Sequence, residues 1–133
     1  NRHVRITRSV PAERVMIMAD RIRLEQVLIN LLRNAIDATK DIETPQIDLV
    51  LTAGKSAAIV VRDNGPGIEN LDELFEPFYT TKAPGDGVGL GLAISSGIVN
   101  DLNGRLTARN GQTGGAVFEI TLPLAANMTE AAE

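Results

Sequence analysis

Leu24, Val27, Leu28, Leu31, Leu32, Ala35 and Ile36 recur at alternating spacings of three and one, the stripe one face of an α-helix needs to meet a core. It is the strongest periodic pattern in the chain and predicts a helix over residues 20–40. Asp20 stands at the N-cap, its carboxylate an acceptor for the free N–H groups of the first turn. Residues 3–7 and 15–18 predict two short strands on either side of a connection containing Pro11. Residues 46–52 and 57–62, rich in Ile, Val and Leu, predict a hairpin turning at Gly54-Lys55. Residues 63–87 are rich in proline and glycine and irregular apart from a helical turn at 71–74. An unstructured stretch of that length inside a compact domain is usually functional or disordered. A second helix is expected over 88–101, with Gly91 and Gly97 weakening its propensity. Residues 104–109 and 116–122 form a last strand pair, and Pro123 ends it.

Hairpins interleaved with helices predict an α+β domain, with helices on one face of a mixed, mostly antiparallel sheet. Residues 1–124 form that single domain, and the Ala-rich, acidic tail over 125–133 is expected to be flexible. No internal repeat or inter-domain linker interrupts it. The length of 133 residues fits one domain. Hydrophobic residues make up 44% and aromatics 3%, so Leu, Ile, Val and Ala must build the core.

Charge and special residues then remove several function classes. A net charge of −4 and a pI near 5.0 argue against nucleic acid or an anionic membrane surface as the main partner. There is no cysteine, which excludes disulfides and thiolate metal sites. His3 is the sole histidine and lies near a terminus, so a zinc site or a nucleophile–histidine pair is not expected. No run reaches the roughly 18 apolar residues of a membrane span. The chain opens at Asn1 with no signal-peptide pattern and is expected to be a piece of a longer protein.

Three local patterns carry candidate chemistry. Gln26, Asn30 and Asn34 are four residues apart, and Asp37 continues their face beside the apolar stripe. Amides near a core boundary call for partners. This face is either a solvated flank or a place where the Asn34 carbonyl oxygen meets a hard cation such as Mg²⁺. Asp63-Asn64-Gly65-Pro66-Gly67-Ile68 comes after a predicted strand. By itself it reads as a turn, but its glycines also admit a flat ligand, and Asp63 can accept from an exocyclic amine. Gly85-Asp86-Gly87-Val88-Gly89-Leu90-Gly91-Leu92 leads into a helix, where free N–H groups and the helix dipole favour phosphate. Leu92 after Gly91 rules out a P-loop, and a dinucleotide fingerprint fails because position 92 is not glycine. Between these patterns lies Phe75-Glu76-Pro77-Phe78-Tyr79-Thr80-Thr81-Lys82, where the aromatics can anchor a loop base and Lys82 can meet a triphosphate.

In this order and spacing the four stretches resemble the ATP-binding catalytic domain of bacterial sensor histidine kinases, within the GHKL ATPase superfamily. The likeness covers residues 15–124. The segment from Asn30 to Ala38 is similar to the family's N box, Asp63 to Ile68 to the G1 box, Phe75 to Lys82 to the F box, and Gly87 to Leu92 to the G2 box. Each box alone is a weak pattern, but four in sequence are specific. The wording Glu-Pro-Phe-Tyr-Thr-Thr-Lys is most similar to the nitrogen-regulation and C4-dicarboxylate sensor group.

The resemblance implies a two-layer α/β sandwich of the Bergerat type, with a mobile lid over roughly 77–87. It implies ATP and Mg²⁺ as ligands. Asn34 would bind Mg²⁺ and Asn30 would contact phosphate or metal-bound water. Asp63 would accept from the adenine amine, with Gly65, Gly67 and Ile68 shaping the wall around the base. Lys82 and the loop residues Gly87, Val88, Gly89, Leu90, Gly91 and Leu92 would line the phosphate side. Asp37 stands where some members carry a basic residue, so at that phosphate contact the chain departs from the family pattern.

The same resemblance implies that the γ-phosphoryl group goes to a histidine on a separate dimerisation domain, with a response regulator further downstream. The His-acidic motif of that domain is not in this chain, so the fragment is expected to be a monomer that does not phosphorylate itself, from the cytoplasmic part of a sensor kinase. The gyrase, Hsp90 and MutL branch uses a glutamate one turn before the metal-binding asparagine. That position is Asn30 here, which cannot act as a base. A nucleotide-sensing module without turnover and an anti-sigma type serine kinase are the remaining alternatives.

Overall fold

The computed structural model of the chain describes residues 5–9, 21–76 and 91–124. The 15–18 strand, the Asp20 cap, His3 and the 125–133 tail lie outside the described residues. The elements run β1 (Arg5–Ser9), α1 (Arg21–Ala38), β2 (Gln46–Ala53), β3 (Ser56–Asp63), a 3₁₀ turn (Leu71–Glu73), α2 (Gly91–Asp101), β4 (Arg105–Asn110) and β5 (Ala116–Pro123). The sheet has the order β1-β2-β3-β5-β4. Only the β1–β2 pair is parallel; β2–β3, β3–β5 and β4–β5 are antiparallel. The expected mixed, mostly antiparallel sheet is therefore observed.

Period-two alternation assigns one face of this sheet to the helices. Ile59 and Val61 of β3 sit opposite Ile120 and Phe118 of β5, and Leu106 of β4 opposite Ile120. All five belong to the buried core. The helices supply Val27, Leu31 and Ala35 from α1, and Ile98 and Val99 from α2. Leu24, Leu28 and Leu32 pack half-buried around them, as the stripe predicted. Ile36 departs from that stripe: it is 41% exposed at the edge of the helix face whose centre, Val27, Leu31, Ala35 and Thr39, stays buried to the end.

Both helix ends are satisfied in ways that fix the direction in which the chain leaves them. At the end of α1 the buried Thr39 hydroxyl donates to the Ala35 carbonyl at 2.9 Å, with the Ile36 carbonyl at 3.1 Å. The end of α2 is a Schellman motif. Asn103 takes φ 63°, its N–H donates to the Asn100 carbonyl at 3.0 Å, and the Gly104 N–H donates to the Val99 carbonyl at 2.9 Å. A Cβ on Gly104 would lie 2.4 Å from the Thr121 carbonyl oxygen, so glycine lets the helix end close onto β5. The exposed Arg23–Asp101 ion pair, at 2.9 Å, joins the two helices. Exposed pairs of this kind contribute at most about 1 kcal/mol.

Two residues on α1 separate core from surface. Leu31 is fully buried and Ile29 is 51% exposed. Leu31→Ala is expected to lower unfolding stability by about 2–5 kcal/mol, and Ile29→Ala by less than about 1 kcal/mol. Urea denaturation of both variants checks this, and equal losses would contradict the placement of α1.

Candidate functional site

Asp63 is the last residue of β3, on the helix-covered face of the sheet, and is 5% exposed. A carboxylate is costly to bury without partners. Here one oxygen is fixed: Oδ1 accepts from the Gly65 N–H at 2.9 Å and from the Ala116 N–H at 3.3 Å. Oδ2 has no hydrogen-bond partner among the described residues, yet among those same residues no side-chain polar atom is both fully enclosed and unpaired. Oδ2 is therefore not fully enclosed and is the carboxylate oxygen left open to a donor. Burial raises the Asp63 pKa above its ordinary value, and the Gly65 and Ala116 N–H groups oppose that shift.

The surrounding glycines let other segments approach this carboxylate. A Cβ on Gly115 would fall 1.9 Å from the Asp63 carbonyl oxygen, and φ there is +77°. A Cβ on Gly65 would fall 2.6 Å from the Ala38 carbonyl oxygen, which places the turn after β3 against the end of α1. Asn34 lies one helical turn before Ala38, so the two predicted boxes meet at this edge. Gly67, with φ +89°, faces Asn110, whose Oδ1 would be 2.8 Å from a Cβ there.

Two more asparagines hold the turn from either side. The Asn64 Oδ1 accepts from the Gln46 N–H at 2.8 Å and its Nδ2 donates to the Thr44 carbonyl at 2.9 Å. Asn110 Oδ1 accepts from the Ile68 N–H at 2.6 Å and its Nδ2 donates to the Ile68 carbonyl at 3.0 Å. Ile68 packs half-buried on the core.

The paired asparagines of α1 have different surroundings. Asn30 Nδ2 donates to Ser95 Oγ of α2 at 2.8 Å, and a Cβ on Gly91 would fall 2.8 Å from the Asn30 amide. Asn30 thus joins the two helices. Asn34 is half-buried, and its side chain makes no hydrogen bond to another described residue, which leaves its amide uncommitted. Leu92 packs half-buried against the core. Lys82, Gly87, Val88, Gly89 and Leu90 lie outside the described residues.

A groove of ≈ 490 Å³ between α1 and α2 includes Asn30, Gly91 and Ser95 but neither Asn34 nor Asp63. The groove thus takes in two of the predicted site residues, Asn30 and Gly91, and leaves Asn34 and Asp63 outside it. Sequence reasoning missed Ser95, Asn110 and the Ala116 N–H. Ser95 sits four residues after Gly91, on the same face of α2, and that spacing was the only local sign of its role.

A family profile for histidine kinase-, DNA gyrase B- and HSP90-like ATPases, HATPase_c, matches residues 19–126. The chain belongs to this family. The two-component sensor PprA of Pseudomonas aeruginosa is 44% identical to this HATPase_c domain over 124 residues, covering 87% of the chain and 13% of PprA. The C4-dicarboxylate transport sensor protein DctB of Rhizobium meliloti is 45% identical over 116 residues, covering 85% of the chain and 18% of DctB. The chain thus spans less than a fifth of either relative. Among solved structures, the catalytic domain of histidine kinase ThkA superposes with a TM-score of 0.78 at 32% identity, covering 90% of this chain and 80% of that one. The mycobacterial sensor histidine kinase MprB superposes with a TM-score of 0.79 at 26% identity, covering 91% of this chain and 82% of that one. No helix among the described residues of the HATPase_c domain is long and apolar enough to cross a membrane.

The raised pKa of Asp63 has a consequence for stability. The folded state holds this proton more tightly than the unfolded chain, so the Asp63 contribution to stability falls as pH rises from about 4 through the raised pKa. Above that window the ionised, buried carboxylate weakens the fold. Asp63→Asn keeps an Oδ1 for both N–H groups and removes the charge. At pH 7 the variant is expected to melt at or above the wild-type temperature, with its advantage shrinking toward pH 4. Thermal scans across pH check this, and a variant less stable at pH 7 than at pH 4 relative to wild type would contradict it.

Proposed function

We propose that the chain binds ATP with Mg²⁺ and donates the γ-phosphoryl group to a histidine on a separate dimerisation and phosphoacceptor domain of its parent sensor kinase. A response regulator would receive the phosphoryl group afterwards, and the parent's catalytic part would lie in the cytoplasm. The carrying observation is the Asp63 carboxylate, with one oxygen held by two backbone N–H groups and the other left open to a donor. That arrangement suits a single donor such as the exocyclic amine of adenine, and it disfavours a carbonyl at the same position because two acceptors would meet.

Asn34 supports the metal part of this reading. Its amide is partnerless among the described residues, and its oxygen is of the type a hard cation accepts. No cluster of three or more His, Cys, Asp or Glu side chains gathers among the described residues. Mg²⁺ would therefore depend on Asn34, nucleotide phosphates and water, and when bound it would neutralise charge on the phosphates. Gly65, Gly67 and Ile68 would form the wall beside the base. Lys82 and the glycine loop through Gly87, Gly89 and Gly91 would face the phosphates. The protein's own part is positioning and exclusion of water, since phosphoryl transfer needs little covalent chemistry from the enzyme.

Asn30 counts against a hydrolase. It occupies the position from which a carboxylate would activate water, and its amide is engaged with Ser95. The domain would bind ATP without consuming it until an acceptor histidine is presented.

The test is to mix the chain with a separately prepared phosphoacceptor domain from the same kinase, supplying ATP labelled at the γ-phosphate. Labelled phosphohistidine is expected on the acceptor only when chain, Mg²⁺ and acceptor are all present. Asn34→Ala is expected to reduce its formation by more than about tenfold, as loss of a positioning ligand does. Tight ATP binding with no labelled histidine under any tested condition would overturn transfer and leave a nucleotide-sensing module.

A further inference from the structure

Asn110 lies outside all four sequence boxes, at the end of β4, yet its side-chain amide meets both backbone groups of Ile68. The oxygen accepts from the N–H and the nitrogen donates to the carbonyl, as a peptide unit of a neighbouring strand would. The reverse orientation of the amide would set donor against donor and acceptor against acceptor, so the assignment is fixed by its partners. Pro66, Gly67 and Glu69 make no hydrogen bond to another described residue. The two bonds from Asn110 are therefore what registers the second half of this turn against the sheet. Gly67 supports the same conclusion from the other side. Any Cβ at position 67 would sit 2.8 Å from Asn110 Oδ1, so this glycine makes room for a protein side chain as well as supplying its φ of +89°.

We infer that Asn110 is a positioning residue for base recognition, holding the Ile68 backbone so that the wall beside Asp63 is formed before the nucleotide arrives. This rests on the proposed binding of ATP at that wall. Asn110 acts through Ile68, and its side chain makes no hydrogen bond to Asn30, Asn34 or Gly91. Its loss should therefore weaken affinity for the part of the ligand that carries the base and leave the polyphosphate part unaffected. Preorganisation of this kind lowers the ordering cost of binding and adds no new contact.

Calorimetry with two probes, ADP and inorganic tripolyphosphate, each with Mg²⁺, separates the possibilities on the full chain. Asn110→Ala removes both bonds to Ile68. Asn110→Asp keeps the acceptor for the N–H but places an oxygen against the Ile68 carbonyl. Both variants are expected to bind ADP about tenfold more weakly, the effect of one or two net hydrogen bonds, and tripolyphosphate within about twofold of wild type. Amide hydrogen exchange at Ile68 in the nucleotide-free chain is expected to accelerate in both variants, while exchange at Ile120 in the central sheet stays unchanged. A general loss of structure would accelerate both positions and weaken both probes alike, and that result would overturn the proposal. Unchanged ADP affinity in both variants, with wild type binding ADP normally, would overturn it alone. A wild-type chain that binds ADP no better than tripolyphosphate would overturn the ATP-binding reading itself.

Discussion

A single buried carboxylate organises this domain. Asp63 ends the central strand β3 with 5% of its surface exposed, where an unpaired charge would be costly. Its Oδ1 is held by N–H groups from two different segments, Gly65 in its own turn and Ala116 at the start of β5. Those bonds require β5 to begin beside the end of β3, and Gly115 must be glycine because its Cβ would overlap the Asp63 carbonyl oxygen. The turn after β3 can lie against the end of α1 only because Gly65 has no side chain. The Asp63 carboxylate thus ties the end of β3 to the start of β5, within a strand order that the β3–β5 and β4–β5 ladders hold.

In the proposed role, the burial that makes Asp63 expensive would also make it selective. An exposed carboxylate accepts from water as readily as from a ligand, whereas this one has one oxygen already committed and the other in a confined position. A ligand that donates there restores what burial removed, and one that presents a lone pair does not. Asn34, a helical turn from Ala38, adds an uncommitted amide at the same edge. Asn30 serves a different purpose, joining α1 to α2 through Ser95 beside Gly91. Two asparagines that look equivalent in sequence differ in the fold: Asn30 is bonded to Ser95, and the Asn34 side chain has no partner among the described residues.

Much of the fold was legible because its elements obey local periods. The stripe from Leu24 to Ala35 specified α1, and the two Ile/Val-rich pairs specified the hairpins within two residues of their observed ends. Ile36 was misplaced because the apolar stripe is wider than the buried face: the row through Val27, Leu31 and Ala35 is covered, while Ile36 lies at its edge. The parallel pairing of β1 with β2 and the insertion of β5 between β3 and β4 left no local trace, since both depend on contacts between distant segments. The site divided in the same way. Box residues could be named from their spacing, but the roles of Ser95 and Asn110 could not, because a lone serine on a helix and an asparagine before Gly111 have ordinary local explanations. Glycines 65 and 67 were expected to admit a ligand, and the structure shows that both also admit parts of the protein itself.

The ionisation of Asp63 reports most directly on whether this carboxylate reads the base. Carboxyl carbon shifts of Asp63, monitored by NMR across pH, should give a raised pKa in the nucleotide-free chain. Adding ADP should lower it, because an amine donor at Oδ2 stabilises the charged form. Adding inorganic tripolyphosphate should not lower it. An Asp63 titration that is identical with and without ADP, under conditions where ADP is bound, would show that the carboxylate does not read the base and would contradict the role assigned to it.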